Sequence, residues 1–145
     1  HYTNDNYWPS EIKSIDDESI LSWIENHIYL IPLDPRSNSY DVLAKTNITK
    51  EGAKDLADAT IQCWEAILKK DLHAFGTSFL KSFHAQIAMF PNMFDESIKP
   101  IIDKYASKSI GYKLSGAGGG GYLILIAEKE IENAIQIKIR RKNLM

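Results

Sequence analysis

Five of the chain's eight glycines fall within six consecutive positions, in Ser115-Gly116-Ala117-Gly118-Gly119-Gly120-Gly121. Glycine carries no Cβ, so it reaches positive φ cheaply and lets backbone N–H groups come close to a ligand. Consecutive N–H groups in such a loop form a concave anion site, the usual cradle for a phosphate. Ordering so many glycines costs conformational entropy, so stability alone does not account for them. Three side chains are candidates to act with the loop. Ser115 adds a hydroxyl donor, and Lys113 precedes the loop in the same segment. Arg36, in the turn-rich stretch Asp34-Pro-Arg-Ser-Asn-Ser39, offers a planar donor fork suited to a phosphate or a sugar hydroxyl.

The spacing excludes several familiar loops. Gly116, Gly118 and Gly121 satisfy G-x-G-x-x-G, but the dinucleotide fingerprint needs a helix directly afterwards. Here Tyr122-Leu-Ile-Leu-Ile126 reads as a strand. A Walker-type loop needs Gly-Lys followed by Ser or Thr, whereas Gly121 is followed by Tyr122. A protein-kinase hairpin would come with His-Arg-Asp and Asp-Phe-Gly. Neither occurs, and Ala74-Phe-Gly76 matches only part of the latter. A plain hairpin turn needs one or two glycines rather than five.

The string Lys113-Leu-Ser-Gly-Ala-Gly-Gly-Gly-Gly121 closely resembles the third signature motif of the GHMP kinases (galactokinase, homoserine kinase, mevalonate kinase, phosphomevalonate kinase). Ser82-Phe-His-Ala-Gln-Ile-Ala-Met-Phe-Pro-Asn-Met93, and Pro32-Leu-Asp-Pro-Arg-Ser37 followed by Asp41-Val-Leu43, are similar to the sugar-kinase branch near heptose and fucose kinases. The resemblance implies an α+β, ferredoxin-like C-terminal domain, an antiparallel sheet with helices packed on one face. It also implies an ATP-dependent enzyme that moves the γ-phosphoryl of ATP, with Mg²⁺, to a sugar of heptose, fucose or galactose type. In that picture Ser115, Gly116, Ala117, Gly118, Gly119, Gly120 and Gly121 line the ATP and substrate site, with Arg36 and Lys113 as candidate substrate or phosphate contacts.

The family's N-terminal domain carries a loop of the form Pro-x-x-x-Gly-Leu-Gly-Ser-Ser-Ala, together with the general base and the principal Mg²⁺ ligands. No such string occurs here, and the chain opens on His1. The expectation is that residues 1–145 are the C-terminal domain of a longer kinase. On that reading the chain holds no catalytic residue and no metal ligand, and is inactive in isolation. Its partners are its own N-terminal kinase domain and a small sugar, with a homo-oligomer left open. The alternative is a stand-alone module of the same fold that binds a small anion or regulates.

Bulk properties fit one ordinary globular domain. The net charge is -2 with both signs interspersed, which argues against a nucleic-acid surface. The basic cluster Lys138, Arg140, Arg141 and Lys142 reads as a solvated edge strand with positive gatekeepers. No apolar run approaches about 18 residues, so no membrane helix is expected. There is no secretory signal pattern. The lone cysteine, Cys63, lies among helical apolar residues and reads as a buried, inert thiol. That suits a cytoplasmic location. His1, His27, His73 and His84 are scattered without metal-ligand spacing.

The elements that must position the loop follow from periodicity and punctuation. Ile12 and Ile15 suggest a short strand, Asp17 to Asn26 a helix with an acidic first turn, and His27 to Leu33 a strand. Tyr40 to Lys45 reads as a brief helical turn. Thr49 can cap a long helix to about Lys70 whose apolar stripe is Ala53, Leu56, Ala57, Ile61, Trp64, Ile67 and Leu68. Asp71 starts a second helix, with Leu72, Phe75, Phe79, Phe83 and Ile87 on one face, stopping before Pro91. Ser97 can cap a third, with Pro100 in its first turn. After Gly111 the period changes: Tyr122 to Ala127 is a buried strand, and Ile135, Ile137 and Ile139 alternate with polar residues as a half-wet one.

Overall fold

A computed structural model describes residues 8–141. His1 and Lys142, named above, lie outside the described residues. Helix α1 spans Glu18–His27, with the Asp17 carboxylate accepting from the Ile20 amide at 3.0 Å, which satisfies one of the helix's unpaired first-turn donors. It runs straight into strand β1, Ile28–Pro32. Helix α2, Lys50–Lys69, is capped by Thr49, whose hydroxyl accepts from the Gly52 amide at 2.9 Å. Lys70 then takes a left-handed conformation (φ 52°), and Asp71 caps helix α3, Leu72–Met89, through the Ala74 amide. So short a connection folds α3 back along α2 as a helical hairpin. A 3-10 turn, Pro91–Met93, precedes helix α4, Lys99–Ala106. Strands β2 (Gly111–Leu114), β3 (Tyr122–Ile126) and β4 (Ile135–Gln136) complete the chain.

The α+β architecture is as expected. The sheet is antiparallel throughout, in the order β2-β3-β1-β4. Tyr29 faces Leu125 and Ile31 faces Leu123 across the central pair, while Tyr112 and Leu114 meet the same two leucines from β2. These residues form the main core with Phe83 of α3, Ile98 just before α4, and Ile102 and Tyr105 of α4. The alternate positions Ile28 and Ile126 join a second, smaller cluster with Phe75, Phe79, Ala66 and Trp23. Helix α3 therefore contributes to both clusters. It lies so close to β2 that a Cβ on Gly111 would sit 1.9 Å from the Gly76 carbonyl oxygen. Only glycine tolerates that approach.

Several details differ from the sequence reading. Residues 11–17 form no strand, and Ile12 is 80% exposed. No partner strand reaches them. Helix α2 turns a different side inward: Ala59 and Ala66 are buried, whereas Ile61 and Leu68 are exposed and Trp64 half-buried. Small residues let α2 approach α3 closely, and a count of apolar positions cannot distinguish that face from the bulky one beside it. Ser97 does not cap α4; its amide instead donates to the Asp95 carboxylate, and the helix begins without a side-chain cap. The segment Tyr40 to Lys45 makes turns, not helix.

The strand expected over Ile135 to Ile139 pairs only through Ile135 and Gln136. Beyond it the chain is held by α1. The Ile139 amide donates to the Glu25 carboxylate at 2.6 Å, and the Arg141 guanidinium bridges Glu25 and Glu18, each at 2.7 Å. Arg141 is thus an ion-pair centre and not a free gatekeeper, because α1 sets the Glu18 and Glu25 carboxylates on one helical face, about two turns apart, where the chain passes.

Gly111→Ala is expected to lower stability by about 1–3 kcal/mol, the usual cost of overpacking, read from the midpoint of urea unfolding. The ion pairs make a second prediction. Hydrogen bonds from Arg141, then Ser22, hold the Glu18 carboxyl down at about 2, and Arg141 with the Ile139 amide lowers Glu25. Both groups therefore stabilise the folded chain fully above the ordinary carboxyl value of 4.5, and this contribution is lost as pH falls towards 2. Arg141→Gln should flatten the melting temperature over that interval; an unchanged slope would place the acid sensitivity elsewhere.

Candidate functional site

The glycine loop joins β2 to β3, residues 115–121. Its neck is closed twice: the Ser115 amide donates to the Tyr122 carbonyl at 2.9 Å, and the Ser115 hydroxyl accepts from the Tyr122 amide at 3.0 Å. The Gly118 amide turns back to the Ser115 carbonyl at 3.3 Å. Because β1 pairs with β3 as far as Pro32 opposite Tyr122, the loop leaving β1 lies against the loop entering β3. The Leu33 amide extends that pairing to the Gly121 carbonyl at 2.9 Å.

Two side chains of the β1 exit loop reach across. Arg36 Nε donates to the Gly118 carbonyl at 2.7 Å, and the Tyr40 hydroxyl donates to the Ala117 carbonyl at 2.5 Å. The guanidinium also lies 5.8 Å from the centre of the Tyr40 ring, within cation–π range. Burial is the main cause that raises the Tyr40 phenol above its usual value, Arg36 opposing it and Asp41 and Asp95 adding to it. The phenol therefore stays protonated, as its donor role requires. The ring fills the space beside Gly119, where φ is +70° and a Cβ would come within 2.4 Å of the ring. On Gly120 a Cβ would meet the Asp34 carbonyl at 2.7 Å.

The consequence is an asymmetry of donors and acceptors. The carbonyls of Ala117, Gly118 and Gly121 are occupied by protein donors. The amides of Gly116, Ala117, Gly119 and Gly120 donate to no protein group among the described residues. At Gly118–Gly119 the acceptor is capped and the donor left unpaired, an arrangement that suits an anion. Gly116 and Gly121 are exposed and Gly119 half-buried, whereas Gly118 and Gly120 are buried. Grooves lie between α2 and α3 and along the outer side of α2 beside Ile61, Trp64 and Leu68.

No protein-family model matches the chain. It is 35% identical over 74 residues to L-fucokinase/L-fucose-1-P guanylyltransferase of Bacteroides fragilis, a match covering 51% of this chain and 8% of that protein. Among solved structures, a mevalonate kinase superposes with a TM-score of 0.59 and 23% identity, covering 80% of this chain and 37% of that one. The fold is that of the GHMP-kinase C-terminal domain. A D-glycero-D-manno-heptose 1-phosphate kinase from Bacteroides thetaiotaomicron aligns at a TM-score of 0.47 with 13% identity, over 79% of this chain and 29% of that one. The chain thus spans well under half the length of each.

Within this domain the residues singled out from sequence divide into two groups. Ser115 to Gly121 form one continuous loop, and Arg36 lies against it. Lys113 does not join them. It is half-buried, and its ammonium donates to Ser82 of α3 at 3.2 Å. Burial pulls its pKa down, with Cys63 opposing slightly. The Cys63 thiol is itself pushed up by burial, in keeping with an inert role. Tyr40 escaped the sequence reading. Its one signal was an aromatic placed directly after a polar turn segment, and nothing local ties it to a loop 77 positions away.

Lys113 forms no ion pair with a carboxylate among the described residues. Lys113→Met should therefore raise the urea midpoint, by removing a partly desolvated charge. A fall in the midpoint, or loss of anion binding at the loop, would restore Lys113 to the candidate site.

Proposed function

We propose that this chain is the C-terminal domain of an ATP-dependent small-molecule kinase that transfers the γ-phosphoryl of ATP to a sugar of heptose, fucose or galactose type. The observation that carries the reading is the set of undirected amides at Gly116, Ala117, Gly119 and Gly120, in a loop where the carbonyls of Ser115, Ala117, Gly118 and Gly121 are already taken. The likeness to a fucokinase supports a sugar as the acceptor class. Phosphoryl transfer is mostly positioning and charge stabilisation, and backbone N–H groups can supply both without a reactive side chain.

In this reading the amides hold phosphate or acceptor oxygens, Ser115 keeps the neck closed, and the loop shields its side of the cleft from water. ATP brings the transferable phosphoryl group, and Mg²⁺ neutralises its charge when bound. The donors of this loop fit an anionic phosphate. They are not metal ligands, so Mg²⁺ and the general base are assigned to a preceding kinase domain, which would supply the opposite wall of this site. The exposed Ile61 and Leu68 of α2 agree with a chain that packs against further polypeptide.

The test is phosphoryl transfer from ATP·Mg²⁺ by the full polypeptide carrying this chain, against fucose, galactose, heptoses, heptose phosphates and mevalonate. One sugar should turn over, and Gly119→Val should lower kcat by about a hundredfold or more, the scale of losing a transition-state donor. No turnover, or a rate indifferent to valine, would favour a stand-alone module that binds a small anion.

A further inference from the structure

We propose that Arg36 and Tyr40 are positioning residues, which act on the bound anion by aiming the peptide planes of the glycine loop rather than by contacting the anion. The inference rests on the phosphate-binding reading of the loop. Its basis is the planarity of the trans peptide, in which the C=O of one residue and the N–H of the next point in opposite directions.

Holding the Gly118 carbonyl on Arg36 Nε at 2.7 Å therefore turns the Gly119 N–H to the far side of that plane, away from the guanidinium. Holding the Ala117 carbonyl on the Tyr40 hydroxyl turns the Gly118 N–H back into the loop, where it meets the Ser115 carbonyl. The same relation operates at the neck: the Gly121 carbonyl goes to Leu33, and the Tyr122 amide goes the opposite way to the Ser115 hydroxyl. Anchors on the carbonyls of Ala117, Gly118 and Gly121 thus leave the Gly119 amide between them, aimed away from Arg36 and without a protein acceptor among the described residues.

Glycine makes these anchors necessary. A peptide flanked by glycines flips easily, because neither neighbour restricts φ and ψ. Left free, the Gly118–Gly119 peptide would present its carbonyl to an incoming phosphate as readily as its amide. Arg36 and Tyr40 remove that alternative before the ligand arrives, and preorganisation of this kind raises affinity by lowering the cost of binding. The Tyr40 ring against Gly119 and the Asp34–Arg36 backbone against Gly120 restrict the loop further. A direct charge contact by Arg36 would be served nearly as well by lysine. Aiming a carbonyl through Nε would not, since lysine lacks the fixed donor fork.

The experiment follows the Gly119 amide of this chain by ¹⁵N–¹H NMR during separate titrations with inorganic phosphate and ATP·Mg²⁺. In the wild type the Gly119 resonance should move with saturation. Arg36→Lys and Tyr40→Phe should each weaken binding by about two- to tenfold, the worth of one hydrogen bond, with little change in the unfolding midpoint. Arg36→Gln should weaken it no more than about as much again. Retention of wild-type affinity by Arg36→Lys, together with loss in Arg36→Gln, would overturn the proposal in favour of direct charge contact.

A ligand-free measurement separates this proposal from the reading beneath it. The Gly119 heteronuclear NOE should fall in both Arg36→Lys and Tyr40→Phe before anything is added, and an unchanged NOE would overturn the positioning role. Wild-type chain that binds neither probe while its Gly119 NOE responds to the variants would overturn the phosphate reading alone. The clamp would then stand as a structural device.

Discussion

The antiparallel pairing of β1 with β3 is the constraint on which the site depends. It places Pro32 opposite Tyr122, so the loop that leaves one strand and the loop that enters the other emerge at the same end of the sheet. The pairing is well secured. Tyr29, Ile31, Leu123 and Leu125 are all buried on one face of it, and a slip of one residue would turn that set towards the other face. Register thus does more than fill the core. It decides that Arg36 and Tyr40, and no other side chains of the exit loop, come within reach of the carbonyls of Ala117 and Gly118.

The glycines of the loop answer two demands at once. One is presentation of backbone donors, which glycine allows because no side chain stands in front of them. The other is packing. The Tyr40 ring and the backbone at Asp34 and Arg36 occupy the space that side chains on Gly119 and Gly120 would need. The first demand alone would leave a flexible loop, and the second alone would leave no reason for its amides to stay unpaired. Together they describe a loop that is held by its neighbours with amides left unpaired. The chain spans 37% of the mevalonate kinase that it matches in fold.

The opposite edge of the sheet is secured by different means. β4 contributes only Ile135 and Gln136 to the ladder, too little to hold the edge by backbone pairing. Charge takes over beyond it. Glu25 is buried, and it is compensated by the Arg141 guanidinium and the Ile139 amide. A buried carboxylate needs such partners. Helix α1 is thereby tied to the chain's far end, and the strand that carries the Arg36 loop follows directly from that helix.

Much of the site and fold was legible in the sequence because it rests on local rules. Asp17, Thr49 and Asp71 each cap a helix through a bond three residues along, and the run Tyr122 to Ile126 could be read as a buried strand from its own residues. The glycine loop announced itself by composition. What only the tertiary structure decided were relations between distant positions. Which side of α2 meets α3, how early β4 stops, and where Lys113 points all depend on a neighbour that no local period encodes. The clamp is the clearest case. Arg36 and Gly118 are 82 residues apart, and Tyr40 and Ala117 are 77. Over such distances only the paired strands bring the groups together, so their joint role became visible only once the sheet was formed.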